Sequence, residues 1–301
     1  MPHSEPASIQ FLKWSPLYDK EKPYQVFLDK DLDTEEDQQN TNLAWEEKFV
    51  TVQDFRGCDE YSNLDAHGFT SRTLPGFEHL ETRDDIETGY IPAVEEMLKR
   101  EIEDVGTIFV FDWRGSIADR EEIRDSRSEY PSGLVNFGDQ TESLLPSNFA
   151  HVDMAPISIV HRIQKSFPKD AERIFEQRIR AINVWKPLDY PVDQWSLALC
   201  SGTTVPSSTL VETDSVRREN ITTLYYATYT PDQTWKFLHR QTPKEALIFK
   251  HFDSRTDVKA SFAMHSSIKH KNVSPNAQPR RSIEVRTLVF DECFDLPAGS
   301  R

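Results

Sequence analysis

Short runs rich in β-branched and aromatic residues recur along the chain, separated by Pro, Gly, Ser and Asp. Such runs predict strands, because these side chains suit a pleated surface and the intervening residues suit turns. The predicted strands are residues 48–55, 106–113, 181–188, 194–200, 222–229, 234–239, 246–252 and 282–290. Short strands divided by turns of this kind are typical of a β-sandwich or barrel.

Helical periodicity is convincing in two places. The first predicted helix covers about residues 86–104, and its apolar face is formed by Ile91, Val94, Met97, Leu98 and Ile102. The second covers about residues 169–180, and its apolar face is formed by Ala171, Ile174, Phe175 and Ile179. The pattern as a whole therefore predicts a mainly β protein with a jelly-roll core and a few packing helices.

The chain of 301 residues has no internal repeat and no Gly/Ser linker, so we expect one domain over residues 1–301. Within it we expect an N-terminal extension over about 1–45 and a jelly-roll core with packing helices over about 46–295. The acidic, amide-rich residues 29–47 resemble a solvated loop or a weak helix.

The formal charge of −15 and the absence of any long Lys/Arg run argue against nucleic acid as a partner. The chain starts without the basic and apolar regions of a secretory signal, and it has no apolar stretch of about 18 residues. We therefore expect a cytoplasmic protein without a membrane span. Cys58, Cys200 and Cys293 are far apart, which predicts buried thiols and not a disulfide framework.

The first candidate for chemistry is the segment Phe149-Ala150-His151-Val152-Asp153-Met154. Side chains at positions i and i+2 project from the same side of an extended strand, so His151 and Asp153 can share one ion. Two imidazoles and one carboxylate are a common set of ligands for non-haem Fe(II). The pair alone is weak evidence, because any His-x-Asp on an exposed strand has the same appearance.

Three downstream histidines compete to be the third ligand: His251, His265 and His270. His265 follows an apolar strand and precedes the small residues Ser266 and Ser267, which leave room for a cosubstrate. His251 alternates with its neighbours so that it could also face inward. We favour His265 and keep His251 as the alternative.

The chain resembles the Fe(II)/2-oxoglutarate-dependent oxygenases of the fungal hydroxylase/desaturase type, which are related to gibberellin desaturases, cephamycin 7-methoxylation proteins and meroterpenoid endoperoxide-forming enzymes. The resemblance covers most of residues 45–295. It rests on the segments DAHGF (65–69), YIPAVEEMLK (90–99), VFDWRG (110–115), HVDM (151–154), INVWKPL (182–188), DQWSLALC (193–200), LIFKHFDS (247–254), HSSI (265–268) and RRSIEVRTLVF (280–290).

The resemblance implies a double-stranded β-helix, also called a jelly roll or cupin-like fold, that uses Fe(II), 2-oxoglutarate and O2. It implies that His151, Asp153 and His265 ligate the iron and that Arg280 binds the distal carboxylate of 2-oxoglutarate. An Arg suits that role because its fork meets a carboxylate bidentately. Arg286 is the rival for the role of Arg280.

The roles of Arg286, Asn183 and the segment 113–115 remain undecided from the sequence. Arg286 could instead pair with Glu284 on the same strand. Asn183 could donate an amide hydrogen bond to the cosubstrate C1 carboxylate or to the substrate. Relatives tend to have a histidine after the VFD strand where this chain has Trp113-Arg114-Gly115, a change that we expect to reshape the substrate pocket.

The expected function is dioxygenase oxidation of a small apolar secondary-metabolite intermediate, such as a meroterpenoid, by hydroxylation, desaturation or endoperoxide formation. The alternative is a jelly-roll metalloenzyme without 2-oxoglutarate, such as a zinc hydrolase or isomerase. A third hypothesis is a metal-free binding protein. A homodimer is left open, because no residue pattern requires one.

Overall fold

A computed structural model of the chain describes residues 2–27, 40–117, 144–217, 220–270, 273–274 and 276–297. The strands in these ranges are β1 Ser4–Leu12, β2 Tyr24–Val26, β3 Trp45–Asp54, β4 Phe69–Thr73, β5 Thr107–Ile117, β6 His151–Val152, β7 Ile179–Pro187, β8 Leu197–Ser201, β9 Leu210–Arg217, β10 Asn220–Ala227, β11 Trp235–Phe237, β12 Glu245–Asp253, β13 Ala263–Ser267, β14 Lys269–His270 and β15 Arg281–Phe290. The helices are α1 Leu64–His67, α2 Ile91–Glu101, α3 Pro156–Ser166 and α4 Ala171–Phe175, with a π-helical segment at Asp85–Tyr90 and 3-10 turns at Pro16–Asp19, Asp59–Ser62, Gly202–Thr204 and Ser207–Thr209.

The described strands form two sheets. The larger has the order β14-β1-β3-β11-β8-β13-β6-β10-β9-β2, and the smaller has the order β4-β12-β7-β15-β5. Apolar side chains of both sheets meet in one core cluster, to which Leu199 and Ala263 come from the larger sheet and Trp185 and Phe249 from the smaller. The expected mainly β jelly-roll class is confirmed.

The first strand is a full member of the larger sheet. Ala7, Ile9 and Phe11 of β1 are completely buried, because they alternate along the strand and all enter one apolar core. The backbone of Gln10 also pairs with the chain just before β6, through bonds to Asn148 and Ala150. Residues expected to be an extension outside the core therefore help to fix the position of His151.

The helix predicted over 86–104 is found as the π-helical segment followed by α2, which ends at Glu101. The helix predicted over 169–180 is wrong in its second half, because α4 ends at Phe175 and Ile179 starts β7. Strand β7 pairs on both sides, with β12 and β15, so tertiary pairing overrides the local helical pattern. Helix α3 was not predicted, although Ile159 and Ile163 bury a helical stripe.

Most of the acidic segment 29–47 lies outside the described residues, and its last three residues belong to β3. Among the cysteines, Cys200 is buried as expected, but Cys58 and Cys293 are exposed. No helix in the described part of the chain is long and apolar enough to cross a membrane.

Two glycines allow the loop before β13 to approach the rest of the fold. A Cβ atom on Gly68 would lie 2.2 Å from the carbonyl oxygen of Phe262, and one on Gly202 would lie 2.4 Å from the same atom. Gly68 also has a φ of 82°, in the left-handed region that favours glycine. These close contacts position the strand that carries His265.

Strand β12 contains a bulge at His251, where the register against β7 shifts between Lys250 and Phe252. The extra residue changes the alternation of side chains along the strand. Lys250 and Asp253 consequently lie on the same side and form a fully buried ion pair of 2.8 Å. The ring of His251 lies near Asp153 instead, 3.6 Å from its carboxylate.

The ion pair belongs to a network with two further charges. Arg178 donates to both oxygens of Asp253, at 3.0 and 2.6 Å, and also to Asp65 at 2.8 Å. Lys250 also donates to Asp65, at 2.8 Å. Burial alone would raise the pKa of Asp253, but the bonds from Arg178 and Lys250 hold it below its ordinary value. The network joins β12 to the start of β7 through charges that depend on one another.

We expect Asp253→Asn to reduce the free energy of unfolding by about 3–5 kcal/mol, because it removes the one fully buried carboxylate that Lys250 and Arg178 share and leaves them only the more exposed Asp65. The depressed pKa of Asp253 also predicts a contribution that is present at neutral pH and is lost as the pH falls through the folded-state pKa. Urea unfolding of the two proteins at pH 7 and in acid measures both effects. The matched control is Asp257→Asn, which removes an exposed partner of Arg255 and should change stability little. Equal stability of Asp253→Asn and the parent would contradict this account.

Candidate metal centre

The predicted iron ligands meet where β6 lies between β13 and β10. His151 and His265 are directly opposite each other in the antiparallel pair of β6 and β13, so both side chains point to the same face. Their ring centroids are 4.1 Å apart. Asp153 follows β6 immediately and turns its carboxylate toward the same space. Strand pairing therefore brings together residues more than a hundred positions apart.

The ligand atoms converge on one carboxylate oxygen. Oδ1 of Asp153 lies 3.2 Å from Nε2 of His151 and 3.5 Å from Nε2 of His265. One ligand atom from each of the three residues lies within 4.8 Å of the others. Nδ1 of His151 lies 2.6 Å from the carbonyl oxygen of Phe149, which favours a proton on Nδ1 and leaves Nε2 as the donor to a metal.

The protonation states in the site also suit a divalent ion. Burial lowers the pKa of His265 to about 4, so its imidazole is neutral at physiological pH. Burial would raise the pKa of Asp153, but Arg286 and the surrounding histidines hold it well below its usual range. A neutral imidazole and an ionised carboxylate are donors that suit Fe(II), and a set of two histidines and one carboxylate leaves positions open for cosubstrate.

The second oxygen of Asp153 faces supporting groups. The amide of Asn183 donates to Oδ2 at 3.0 Å, and Nη2 of Arg286 lies 3.6 Å from the same oxygen. The Asn183 amide also donates to Glu284 at 3.1 Å. The structure thus places Asn183, predicted as a cosubstrate or substrate donor, against the carboxylate of the proposed metal ligand.

His251 supports Asp153 from the smaller sheet. Its Nδ1 accepts the backbone N–H of Asp153 at 3.2 Å, and its Nε2 lies 3.6 Å from Oδ2. Burial lowers the pKa of His251 to about 3, so the ring is neutral. The sequence marked His251 as an alternative ligand, but its contact with the backbone depends on the bulge in β12, which no sequence signal revealed. The third competitor, His270, bonds to Glu5 and Ser196 instead.

Arg280 is a buried cation among neutral acceptors. Nη1 donates to the carbonyl of Trp195 at 2.6 Å and to Oγ of Ser267 at 3.0 Å, and Nη2 donates to Oγ of Ser116 at 2.9 Å. The guanidinium also lies 5.3 Å from the ring centroid of Trp185. Within the described ranges, no carboxylate lies within 4.0 Å of it. Burial lowers the pKa of Arg280 to about 9, and the charge of Glu284 opposes that shift only in part.

Arg286 has a different environment. Its Nε donates to Oε1 of Glu284 at 2.7 Å, and its Nη1 lies 3.7 Å from Asp112. The pairing with Glu284 that the strand alternation suggested is therefore present. Arg286 already has carboxylate partners, whereas Arg280 can accommodate one.

A cavity of about 650 Å³ joins these groups. Its walls include the three predicted ligands, both arginines and the two residues Arg114 and Gly115. Trp113 points to the opposite face of β5 and packs in the core under α2. The segment Trp113-Arg114-Gly115 thus shapes the cavity through its last two residues. A jelly roll with this donor set and a buried arginine at one cavity has the architecture of a non-haem iron oxygenase.

Comparisons with known proteins agree with that class. Residues 9–290 match the family described as Oxidoreductase/YMDC permease-like domain. The chain is 30% identical over 261 residues to the Fe(II)/2-oxoglutarate-dependent dioxygenase nvfI of Aspergillus novofumigatus, covering 84% of this chain and 87% of that protein. It is 26% identical over 268 residues to the hydroxylase/desaturase efuI of Hormonema carpetanum, covering 84% of this chain and 87% of that protein.

The fold is also similar to a solved structure. The iron and alpha-ketoglutarate-dependent endoperoxidase NvfI superposes with a TM-score of 0.76 at 23% identity, covering 95% of this chain and 98% of that one. The chain belongs to this Oxidoreductase/YMDC permease-like family and, within it, to the fungal Fe(II)/2-oxoglutarate-dependent dioxygenases.

We expect His251→Ala to weaken Fe(II) binding by about 10–100-fold while the ligands stay in place, because Asp153 loses the acceptor for its backbone N–H. His251→Phe should have a similar effect, since it fills the space but offers no acceptor. Anaerobic equilibrium dialysis with Fe(II) measures the change. His161→Ala, at an exposed position on α3, is the control and should bind iron normally. Unchanged affinity in both His251 variants would exclude a supporting role.

Proposed function

We propose that the chain acts as a single dioxygenase domain in which His151, Asp153 and His265 hold Fe(II) and Arg280 binds the distal carboxylate of 2-oxoglutarate. The observation that carries the proposal is the buried guanidinium of Arg280, which has no carboxylate within 4.0 Å among the described residues and lies at the same cavity as the three metal donors. A buried cation of this kind becomes favourable when an anionic ligand supplies the missing charge.

Each side chain has a distinct task in this proposal. Arg280 orients the cosubstrate, and Ser267 and Ser116 fix the guanidinium. Asn183 and His251 hold Asp153 so that its Oδ1 faces the two histidines. Iron, when bound, would supply dioxygen activation coupled to conversion of 2-oxoglutarate to succinate.

The cavity also suggests the substrate class. Phe111, Met154 and Leu224 give it apolar surface, while Arg114 and Arg162 add cationic groups. We propose a small, largely apolar natural product that carries oxygen functions, such as a meroterpenoid intermediate. Its oxidation would be a hydroxylation, a desaturation or an endoperoxide formation. The hydroxylase/desaturase and endoperoxidase names of the relatives support this range of outcomes.

A jelly-roll hydrolase or isomerase with zinc at the same donors is the weaker hypothesis. Such an enzyme has no use for a buried arginine that awaits a carboxylate beside the metal. The comparisons do not favour it either, since the relatives are named as dioxygenases and hydroxylase/desaturases.

We expect the anaerobic protein with Fe(II) and 2-oxoglutarate to develop a weak visible charge-transfer band. His265→Ala and Asp153→Ala should abolish both the band and iron binding, because two remaining ligands bind weakly. Titration followed by absorbance and by metal analysis makes the test. Iron bound at full stoichiometry in either variant would contradict the ligand set. Iron binding without a band in the parent protein would favour the hypothesis without 2-oxoglutarate.

We expect Arg280→Ala to raise the 2-oxoglutarate concentration needed for the band by about 10–100-fold, the equivalent of a charged hydrogen-bonded pair of about 1.5–3 kcal/mol. Iron binding should persist. Arg280→Lys should fall between the variant and the parent, because it keeps the charge but loses the fork. Arg281→Ala is the matched control, since that side chain pairs with Asp189 outside the cavity. If Arg286→Ala raises the requirement and Arg280→Ala does not, the two arginines exchange roles.

A further inference from the structure

A second group of metal-binding side chains lies outside the oxygenase cavity. His3 precedes β1, Glu5 lies within β1, and His239 follows β11. One ligand atom from each of the three residues lies within 4.8 Å of the others. The group repeats the pattern of the first site, with a histidine and a carboxylate two positions apart and a second histidine from a distant part of the chain.

The distance between two of the candidate ligand atoms matches that around a bound ion, and the third side chain lies beside them. Nε2 of His3 lies 3.4 Å from Oε1 of Glu5. Ligand atoms in a tetrahedral zinc site with bonds of about 2.0–2.1 Å are separated by about 3.4 Å. The rings of His3 and His239 stack with centroids 3.8 Å apart. Within the described part of the chain, the ring nitrogens of His239 have no hydrogen-bond partner, so they are available to a ligand.

A fourth residue holds the carboxylate in position. Nδ1 of His270 lies 2.9 Å from Oε1 of Glu5, and Nε2 of His270 lies 2.9 Å from Oγ of Ser196. The side chain of His270 is only 9% exposed, so this connection is anchored in the sheet. Carboxylate ligands of metals are commonly oriented by such a hydrogen bond.

The group is open to solvent and separate from the proposed oxygenase site. The side chains of His3 and Glu5 are 41% and 22% exposed, so an ion can reach them. None of His3, Glu5, His239 and His270 is among the residues that line the 650 Å³ cavity. A ligand here would leave the oxygenase donors untouched.

We propose that His3, Glu5 and His239 form a second metal site that binds a divalent ion of the zinc type, with His270 orienting Glu5. Two imidazoles and one carboxylate are a common three-ligand zinc set, and the fourth position is left for water. The ion connects the start of β1 to the end of β11. It therefore stabilises the folded protein, because an ion that binds only the native arrangement shifts the unfolding equilibrium.

The test uses the full chain without a histidine tag and with His265→Ala, which removes a ligand from the first site. We expect this protein to bind one equivalent of Zn²⁺ in competition with a chromophoric chelator and to show a higher Tm with Zn²⁺. Adding either His3→Ala or His239→Ala should remove both effects. A Co²⁺ absorption spectrum should be lost in the same variants, which reports direct ligation.

The matched control is His79→Ala, which removes another exposed histidine that pairs with a single carboxylate, Asp189. It should retain the Zn²⁺ equivalent and the Tm shift. The proposal is overturned if the His265→Ala protein binds no Zn²⁺, or if its Zn²⁺ equivalent survives both His3→Ala and His239→Ala. Either result leaves the assignment of the oxygenase site unaffected, because that assignment is tested by iron and 2-oxoglutarate binding.

Discussion

The architecture of the site depends on one largely buried carboxylate, that of Asp153, whose side chain is 15% exposed. An isolated buried charge is costly, so its surroundings must compensate it. Oδ1 faces the histidines of the larger sheet, whereas Oδ2 faces Asn183 and Arg286 of the smaller sheet. The two sheets therefore have to meet in one relative position for this charge to be satisfied. The same requirement leaves one carboxylate oxygen directed at the proposed metal position.

Two β-bulges direct side chains to positions that a regular alternating strand would not allow. In β12 the extra residue is His251, and in β5 the register against β15 shifts so that Phe111 is the extra residue. Phe111 lines the cavity, and His251 lies beside Asp153. Each bulge interrupts the two-residue alternation of its strand. His251 thereby faces Asp153 while Lys250 and Asp253 on either side pair with each other.

Spacing and order along the chain are enough to single out His151 and Asp153 and to favour His265 over His251, and the structure brings the three favoured side chains together. Their roles as iron ligands stay predictions. The supporting roles of His251 and Asn183 were not predictable, because they depend on a bulge and on a contact between sheets. The strand predicted over 181–188 is present, but its first two residues, Ile179 and Arg180, were assigned to the preceding helix, and only pairing with β12 and β15 shows that they belong to β7.

The position of β15 has a consequence for biosynthesis. This strand is the last of the described strands in the chain, yet it lies inside the smaller sheet, between β7 and the edge strand β5. Until it leaves the ribosome, β7 and β5 each present an unpaired edge, and Arg286 cannot reach Asp153. Unpaired edges of this kind favour association with other chains. Nascent chains truncated before residue 281 should therefore depend on chaperones, because they lack the strand that covers both edges.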